Sequence, residues 1–326
     1  MATVMELKTI VNEIRNYPGI TRKRGLHQVV EILKSTGGDG TSSVVTDFGE
    51  DAAAITYGDH YLLLAAEGMW PQFVKTEPYA AGKAAVMASV NDIYAMGGTP
   101  LALVNVLSAS KDTEYRLMME GIRKGCEKFK VPMVGGHLNP DAEQPSLSVS
   151  ILGTARKLLR SNNAQVGQKI VLAADLHGTD GRCRSVLSWD ANSGKSTAYV
   201  RERLEIVRYL AEEGLCETAK DVSNGGIAGT VSLLCEYSRK GCVIVLDEIP
   251  TPAGVELIKW LKAFLSYGFI LCVDDARLAA CLDAFQKKDI AARVIGEVTE
   301  KRQVVLQLNH AQEVVYDFRV EQITGI

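Results

Sequence analysis

Apolar side chains recur at helical spacing over residues 4–16 and 25–35, which predicts two amphipathic helices at the start of the chain. A polar, glycine-rich stretch at 37–43 then predicts a flexible loop, followed by short β-rich runs at 44–46, 53–57 and 61–66. Residues 78–96 are apolar on every side and stop at Gly97-Gly98, the pattern of a buried helix with a glycine stop. Strands at 101–107, 133–134 and 147–155, with a polar helix at 113–129 among them, complete a first alternating set. The polar segment 161–168 sits near the middle of the chain and predicts a boundary between two domains, 1–160 and 161–326. Beyond it, strands are expected at 169–174, 242–246, 269–273 and 292–298, and helices at 198–213, 225–238, 254–265 and 276–287. No internal repeat, heptad run or low-complexity tract interrupts this order.

Length agrees with that division, since 326 residues suffice for two ordinary domains at roughly 150 residues each. The 36 basic and 39 acidic side chains leave a formal charge of −3, which carries no footprint for nucleic acid or an anionic membrane, so small molecules and other proteins are the expected partners. Seven cysteines (Cys126, Cys183, Cys216, Cys235, Cys242, Cys272 and Cys281) form no C-x-x-C pair, which argues against a zinc ribbon or disulfide framework. Reduced thiols and the lack of any apolar run near the roughly 18 residues of a membrane span predict a soluble, cytoplasmic protein.

Ser193-Gly194-Lys195-Ser196-Thr197 before a helix resembles the end of a phosphate-binding P-loop. That motif needs a further glycine five residues before Gly194, where Trp189 stands, so a solvated loop leading into a helix is the better account. No G-x-G-x-x-G after a strand and no G-x-S-x-G elbow is present, which removes the main support for dehydrogenase and hydrolase readings.

Several acidic positions are harder to explain structurally. Gly49-Glu50-Asp51-Ala52-Ala53 sets two carboxylates on a turn before a buried-looking strand, Asp51 being the one expected to face inward. Glu67 ends the apolar run 61–66, at a strand end that either meets solvent or holds a ligand. Asp92 lies inside the all-apolar helix, where an unpaired charge costs several kcal/mol, so it requires either a basic side chain or a metal. In Asp221-Val222-Ser223-Asn224-Gly225-Gly226, Ser and Asn suit a helix N-cap, and the glycines also let a ligand approach the helix N–H groups. Val134-Gly135-Gly136-His137 reads as a strand entering a glycine turn, with His137 a turn residue or a ligand. Hard oxygen donors without a Cys/His cluster favour Mg²⁺, and carboxylates around Mg²⁺ beside glycine turns suit a nucleoside triphosphate and phosphoryl transfer.

Taken in order, Gly49-Glu50-Asp51-Ala52-Ala53, Asn91-Asp92-Ile93-Tyr94-Ala95-Met96-Gly97-Gly98-Thr99-Pro100, Val134-Gly135-Gly136-His137 and Asp221-Val222-Ser223-Asn224-Gly225-Gly226 resemble the successive motifs of the aminoimidazole ribonucleotide (AIR) synthase superfamily. This group includes thiamine-monophosphate kinase, selenophosphate synthetase, formylglycinamidine ribonucleotide synthetase and a hydrogenase maturation dehydratase. The resemblance implies a two-domain α/β (α+β) fold: a first domain that binds ATP and dimerises, its sheet forming a barrel with a second subunit, and a second α/β domain closing over the nucleotide. It also implies that Asp51, Glu67 and Asp92 bind Mg²⁺, that Asp221 adds a carboxylate, that Gly135 and Gly136 lie against ATP, that Arg160 contacts it, and that Ser223 sits near the phosphates. The 37–40 loop would fold over the triphosphate, and the segments 70–77 and 176–192 would build the acceptor pocket.

The departures from the family pattern narrow this. The kinase branch has an aspartate after two threonines where this chain has Ala65-Ala66-Glu67, and aspartates at His137 and Asn224, so fewer Mg²⁺ ions or a different acceptor are implied. His137 and Asn224 are therefore the candidate catalytic positions. No cysteine stands where selenophosphate synthetase or the hydrogenase maturation protein carries its reactive one. The resulting expectation is a homodimeric, Mg-ATP-dependent enzyme acting on a small-molecule acceptor. Thiamine-monophosphate kinase and a catalytically silent ATP-binding sensor are the alternatives.

Overall fold

The computed structural model describes residues 2–34, 43–46, 48–181 and 186–326; the 37–40 loop and Cys183 lie outside the described residues. Three helices come first, α1 (Ala2–Arg15), α2 (Pro18–Thr21) and α3 (Leu26–Lys34). Strands β1 (Ala53–Tyr57), β2 (His60–Gly68), β3 (Thr99–Ser108), β4 (Met133–Asn139) and β5 (Ser146–Ala155) form a five-stranded sheet in the order β1-β2-β5-β3-β4. Only β3 and β4 run parallel. Helices α4 (Pro71–Thr76), α5 (Pro78–Ala95) and α6 (Asp112–Phe129) fall between these strands, and α5 lies across the sheet against β2, β3 and β5.

Period-two alternation decides which residues that sheet buries. Leu63, Leu103, Leu107, Val149 and Ile151 face the helices and are buried. On the opposite face Leu64 stands beside Leu152, with Val104 and Val106 on the neighbouring strand, and all four are exposed. The sheet is open, with no closed barrel among the described residues.

The second half comprises β6 (Lys169–Ala174), β7 (Thr179–Asp180), β8 (Ser188–Asp190), α7 (Thr197–Glu212), β9 (Thr218–Asp221), α8 (Gly226–Tyr237), β10 (Gly241–Val245), α9 (Leu257–Lys262), β11 (Phe264–Leu265), β12 (Gly268–Val273), α10 (Asp275–Gln286), β13 (Ala291–Thr299), β14 (Gln303–Leu308) and β15 (Ala311–Asp317). Seven of its strands make a mixed sheet, β15-β14-β10-β13-β6-β12-β9, and β11-β8-β7 make a small separate one. Strands β6 and β12 are buried on both faces, which is why they read as continuous apolar runs.

From β6, Ile170, Leu172 and Ala174 enter a core with α1, α8 and α9, whereas Val171 and Ala173 enter a core shared with α5, α7, α10 and the first sheet. That second core crosses the 161–168 connection, so the two halves are joined by buried apolar contact. Helices α1 and α2, on the N-terminal side of the sequence division, place Leu7, Ile10, Ile14 and Ile20 in the core of the C-terminal sheet.

Some elements differ from expectation. Residues 44–46 make a single bridge from Val44 to Ile55 rather than a strand. The expected helix at 254–265 is only the six-residue α9, followed directly by β11. The β14–β15 hairpin and the short strand β9 were not anticipated. Asn309 takes the hairpin's left-handed position, at φ 52°.

Helices α5 and α6 meet backbone to backbone. A Cβ on Gly121 would lie 2.1 Å from the Tyr79 carbonyl oxygen, and one on Gly82 would lie 2.2 Å from that of Met118. We expect Gly121→Ala to lower stability by about 1–3 kcal/mol, the usual range for overpacking, as a reduced midpoint in urea unfolding. An unchanged midpoint would show that the helices can separate freely.

Candidate functional site

Four carboxylates arrive at one place from four different elements. The turn at 48–52 carries Asp51, the end of β2 carries Glu67, the last turn of α5 carries Asp92, and the end of β9 carries Asp221. Glu67 shares the inward parity of Leu63 on β2, which turns it toward α5. Asp51, Asp92 and Asp221 each offer an oxygen within 4.8 Å of the others, and no other group of three acidic, His or Cys side chains converges this way among the described residues. All four line a cavity of about 390 Å³.

Burial dominates the electrostatics here. It pushes the Asp92 carboxyl well above its usual range, with the charges of Glu67, Asp221 and Asp51 acting in the same direction. Burial raises Asp221 to about 8, with Asp51 adding to the shift and Lys220 opposing it. Glu67 is raised by burial too, partly offset by Lys23.

Two lysines answer these four acids. Lys220, next to Asp221 on β9, ion-pairs with Asp51, and the Asp221 N–H donates to the other Asp51 oxygen at 3.3 Å. Burial works against the Lys220 charge, yet Asp51 and Asp221 hold its pKa above the ordinary lysine value. Lys23 lines the cavity from the turn after α2, and its pKa is lowered by burial and by Lys220. The sequence reading did not single out either lysine, because the four-residue strand Thr218–Asp221 that buries Lys220 has no apolar pattern to mark it.

The donor set fits a hard divalent cation. Three converging carboxylates lie in a cavity lined by five acids and two lysines, and with Glu50 directed to Arg160 the acids still outnumber the lysines; carboxylate oxygens match Mg²⁺. Helix α8 starts just beyond, with Gly225 as an N-cap that offers no side-chain acceptor to the first turn. Ser223 and Asn224, expected as candidate caps, line the cavity instead. Their loop is held closely from behind, since a Cβ on Gly19 would lie 1.8 Å from the Asn224 carbonyl oxygen.

The remaining sequence candidates lie elsewhere in the single chain. Gly135, Gly136 and His137 are exposed on the edge strand β4, and His137 shares a 3.1 Å hydrogen bond with Asn139. Gly136 is required by the neighbouring strand, as a Cβ there would lie 2.4 Å from Asn105 Oδ1. Register places Gly135 opposite Val104 and His137 opposite Val106.

Arg160 is directed to Glu50, 3.5 Å from Nε to the carboxylate, and the Ser161 N–H and hydroxyl donate to the same carboxylate at 2.7 and 2.8 Å. Glu50 is thus as deeply buried as Asp51, with side-chain exposures of 2% and 5%. Both acids face inward, where only Asp51 was expected to. Glu50 ties the turn to the interdomain connection.

Residues 49–155 match the AIR synthase related protein N-terminal domain, and residues 165–309 match the corresponding C-terminal domain. An uncharacterized protein of Methanocaldococcus jannaschii is 39% identical over 324 residues, covering 98% of this chain and 100% of its own. The thiamine-monophosphate kinase of Synechococcus elongatus is 27% identical over 293 residues, covering 82% and 88%. Among solved structures, Thermotoga maritima PurL complexed with ATP superposes with a TM-score of 0.72 at 22% identity, covering 90% of this chain and 52% of that one.

A carboxyl whose folded-state pKa exceeds its unfolded value favours the fold most below the unfolded value and loses that contribution as pH rises through the folded one. For Asp221 this window runs from about 4, the unfolded value, to about 8. Without divalent cations, the unfolding free energy should therefore fall between pH 6 and 8, with a slope shallower in Asp221→Asn by up to about 1.4 kcal/mol per pH unit. Scanning calorimetry in a chelator measures it, and equal slopes in both proteins would contradict the burial argument.

Proposed function

Because the chain belongs to the AIR synthase-related family, we propose that it binds Mg-ATP in the carboxylate cavity and uses it to phosphorylate or activate a small-molecule acceptor. The observation that carries this reading is the convergence of Asp51, Asp92 and Asp221 within 4.8 Å in a buried cavity whose acids outnumber its lysines. The kinase relative and the ATP complex of the structural relative support nucleotide chemistry at this site. Two of the departures from the kinase pattern, His137 and Asn224, replace acids with neutral groups and leave the acceptor unassigned.

Bound Mg²⁺ would neutralise phosphate charge and align the triphosphate. Asp51, Asp92 and Asp221 would hold the cation, with Glu67 beside them. Lys220 pairs with Asp51 and orients its carboxylate. Lys23 and the N–H groups at the start of α8 would face the phosphate oxygens, as helix N-termini do for anions. With these groups fixed, the chemistry needs positioning and charge stabilisation rather than a protein nucleophile. In a transfer step, an acceptor oxygen or nitrogen bonds to the γ-phosphorus while the bond to the bridging oxygen breaks. ADP leaves and the acceptor proton passes to water.

We also infer a homodimer formed through the open face of the five-stranded sheet. Leu64, Val104, Val106 and Leu152 present exposed apolar side chains there, the kind of surface that marks an interaction site. A second copy of the same sheet supplies a matching surface. Since Gly135 and His137 share this face with Val104 and Val106, the partner would cover them. That is where the nucleotide-facing role of Gly135 and Gly136 would be realised.

Two outcomes follow. Asp92→Asn removes a ligand and a buried charge together, so it should raise the metal-free melting temperature yet weaken Mg-ATP binding at least tenfold by calorimetry. Wild-type affinity in this variant would remove Asp92 from the site. Val104→Asp with Val106→Asp should convert a dimer to a folded monomer in sedimentation velocity, and a dimer that survives both substitutions would refute the interface.

A further inference from the structure

A second cavity of about 480 Å³ opens beside the carboxylate cavity, the two sharing Phe73, Ala84, Met87, Ser188 and Phe264 as walls. Its volume is ordinary for a small-molecule site. The far end is basic. Lys83 of α5 and Lys128 of α6 both line it, and neither has a carboxylate within ion-pairing distance among the described residues. Lys83 reaches only the Ser193 hydroxyl, at 3.2 Å, and Lys128 donates to the Asn192 carbonyl at 3.2 Å and to that of Lys195.

The one acid lining this cavity is Asp190, a single carboxylate whose charge is shared between the two lysines and whose Oδ1 is also held by the loop. Its Oδ1 accepts the Asn192 and Ser193 N–H groups at 2.9 and 2.8 Å. The same bonds explain why Ser193-Gly194-Lys195-Ser196 is no phosphate cradle, since its first N–H groups turn to Asp190. Ser196 caps α7 by accepting from the Tyr199 N–H at 3.1 Å. The segment instead serves as a wall facing two lysines. Burial lowers the Lys128 pKa and the Lys83 charge lowers it further, a mutual repulsion that a bound anion would reverse.

Between the lysines and the carboxylates the shared wall is apolar and aromatic. A ligand spanning it would place an anion at one end and its body along Phe73, Met87 and Phe264, with its other end facing the Asp51–Asp92–Asp221 group. We propose that the second cavity is the acceptor subsite and selects a small molecule carrying a carboxylate or phosphate, read by Lys83 and Lys128, on an apolar or aromatic body. This rests on the nucleotide reading of the adjoining cavity and supplies its missing substrate class.

The test is calorimetric titration of the full chain with phenyl phosphate, benzoate and phenol in saturating Mg-AMPPCP. At least one of the two anions should bind tenfold or more tightly than phenol, and the better of them identifies the head group. Lys83→Gln should abolish that preference and Lys83→Arg should keep it. Equal binding of phenol and both anions, or an undiminished preference in Lys83→Gln, overturns the subsite while the nucleotide reading stands. Failure of the wild-type chain to bind Mg-AMPPCP overturns the nucleotide reading instead, and the acceptor assignment with it.

Discussion

Concentrating Asp51, Glu67, Asp92 and Asp221 in one cavity is the constraint around which this fold is arranged. Moving an ion out of water costs several kcal/mol even after relaxation, and like charges within 4.8 Å repel further. Two lysines offset part of this, and burial together with the neighbouring charges pushes the Asp92 and Asp221 carboxyls upward. Such a site persists only if the surrounding scaffold is strong enough to hold the acids together against their repulsion, and if a cation stabilises the ionised form when present.

The scaffold meets that requirement by making the two halves share a core. Helix α5 is apolar on all sides because it touches the first sheet, α6, α7 and β9 at once. Its one acid, Asp92, points to the seam between halves. Asp221 reaches the same seam because β9 is the edge strand of the second sheet. The Glu50 contacts with Arg160 and Ser161 fasten the Asp51 turn to the chain connection. Precise placement of the acids thus follows from backbone elements buried for hydrophobic reasons, with polar ties only at the turn.

The same seam explains why the two cavities adjoin. The wall residues Phe73, Met87 and Phe264 separate an acidic end from a basic end over one continuous cleft. A molecule bridging them would meet opposite charge at each end. Outside the cleft, the bare face of the first sheet leaves a second apolar surface uncovered. In the proposed reading one surface would take small molecules and the other a second copy of the chain.

Much of this was readable from residue order. Period-two and helical spacing located most strands and helices because burial on one face or on all faces writes itself into the pattern, as β5 and α5 illustrate. The acidic candidates were visible because Asp92, Asp51 and Asp221 stand in apolar or glycine-rich surroundings where a charge has no structural purpose. Hidden from the sequence were the short β9, too brief for any periodicity to register, and the attachment of α1 to the C-terminal sheet, because amphipathicity says that a face is buried and not against what. The pairing of Lys220 with Asp51 joins positions 169 residues apart, and the burial of Glu50 depends on a serine brought near by folding. The residues themselves determined which side chains must leave water and which charges would be costly there. Only the tertiary structure decided which of those charges meet, because electrostatic and hydrogen-bond partners are set by distance in space, to which separation along the chain is no guide.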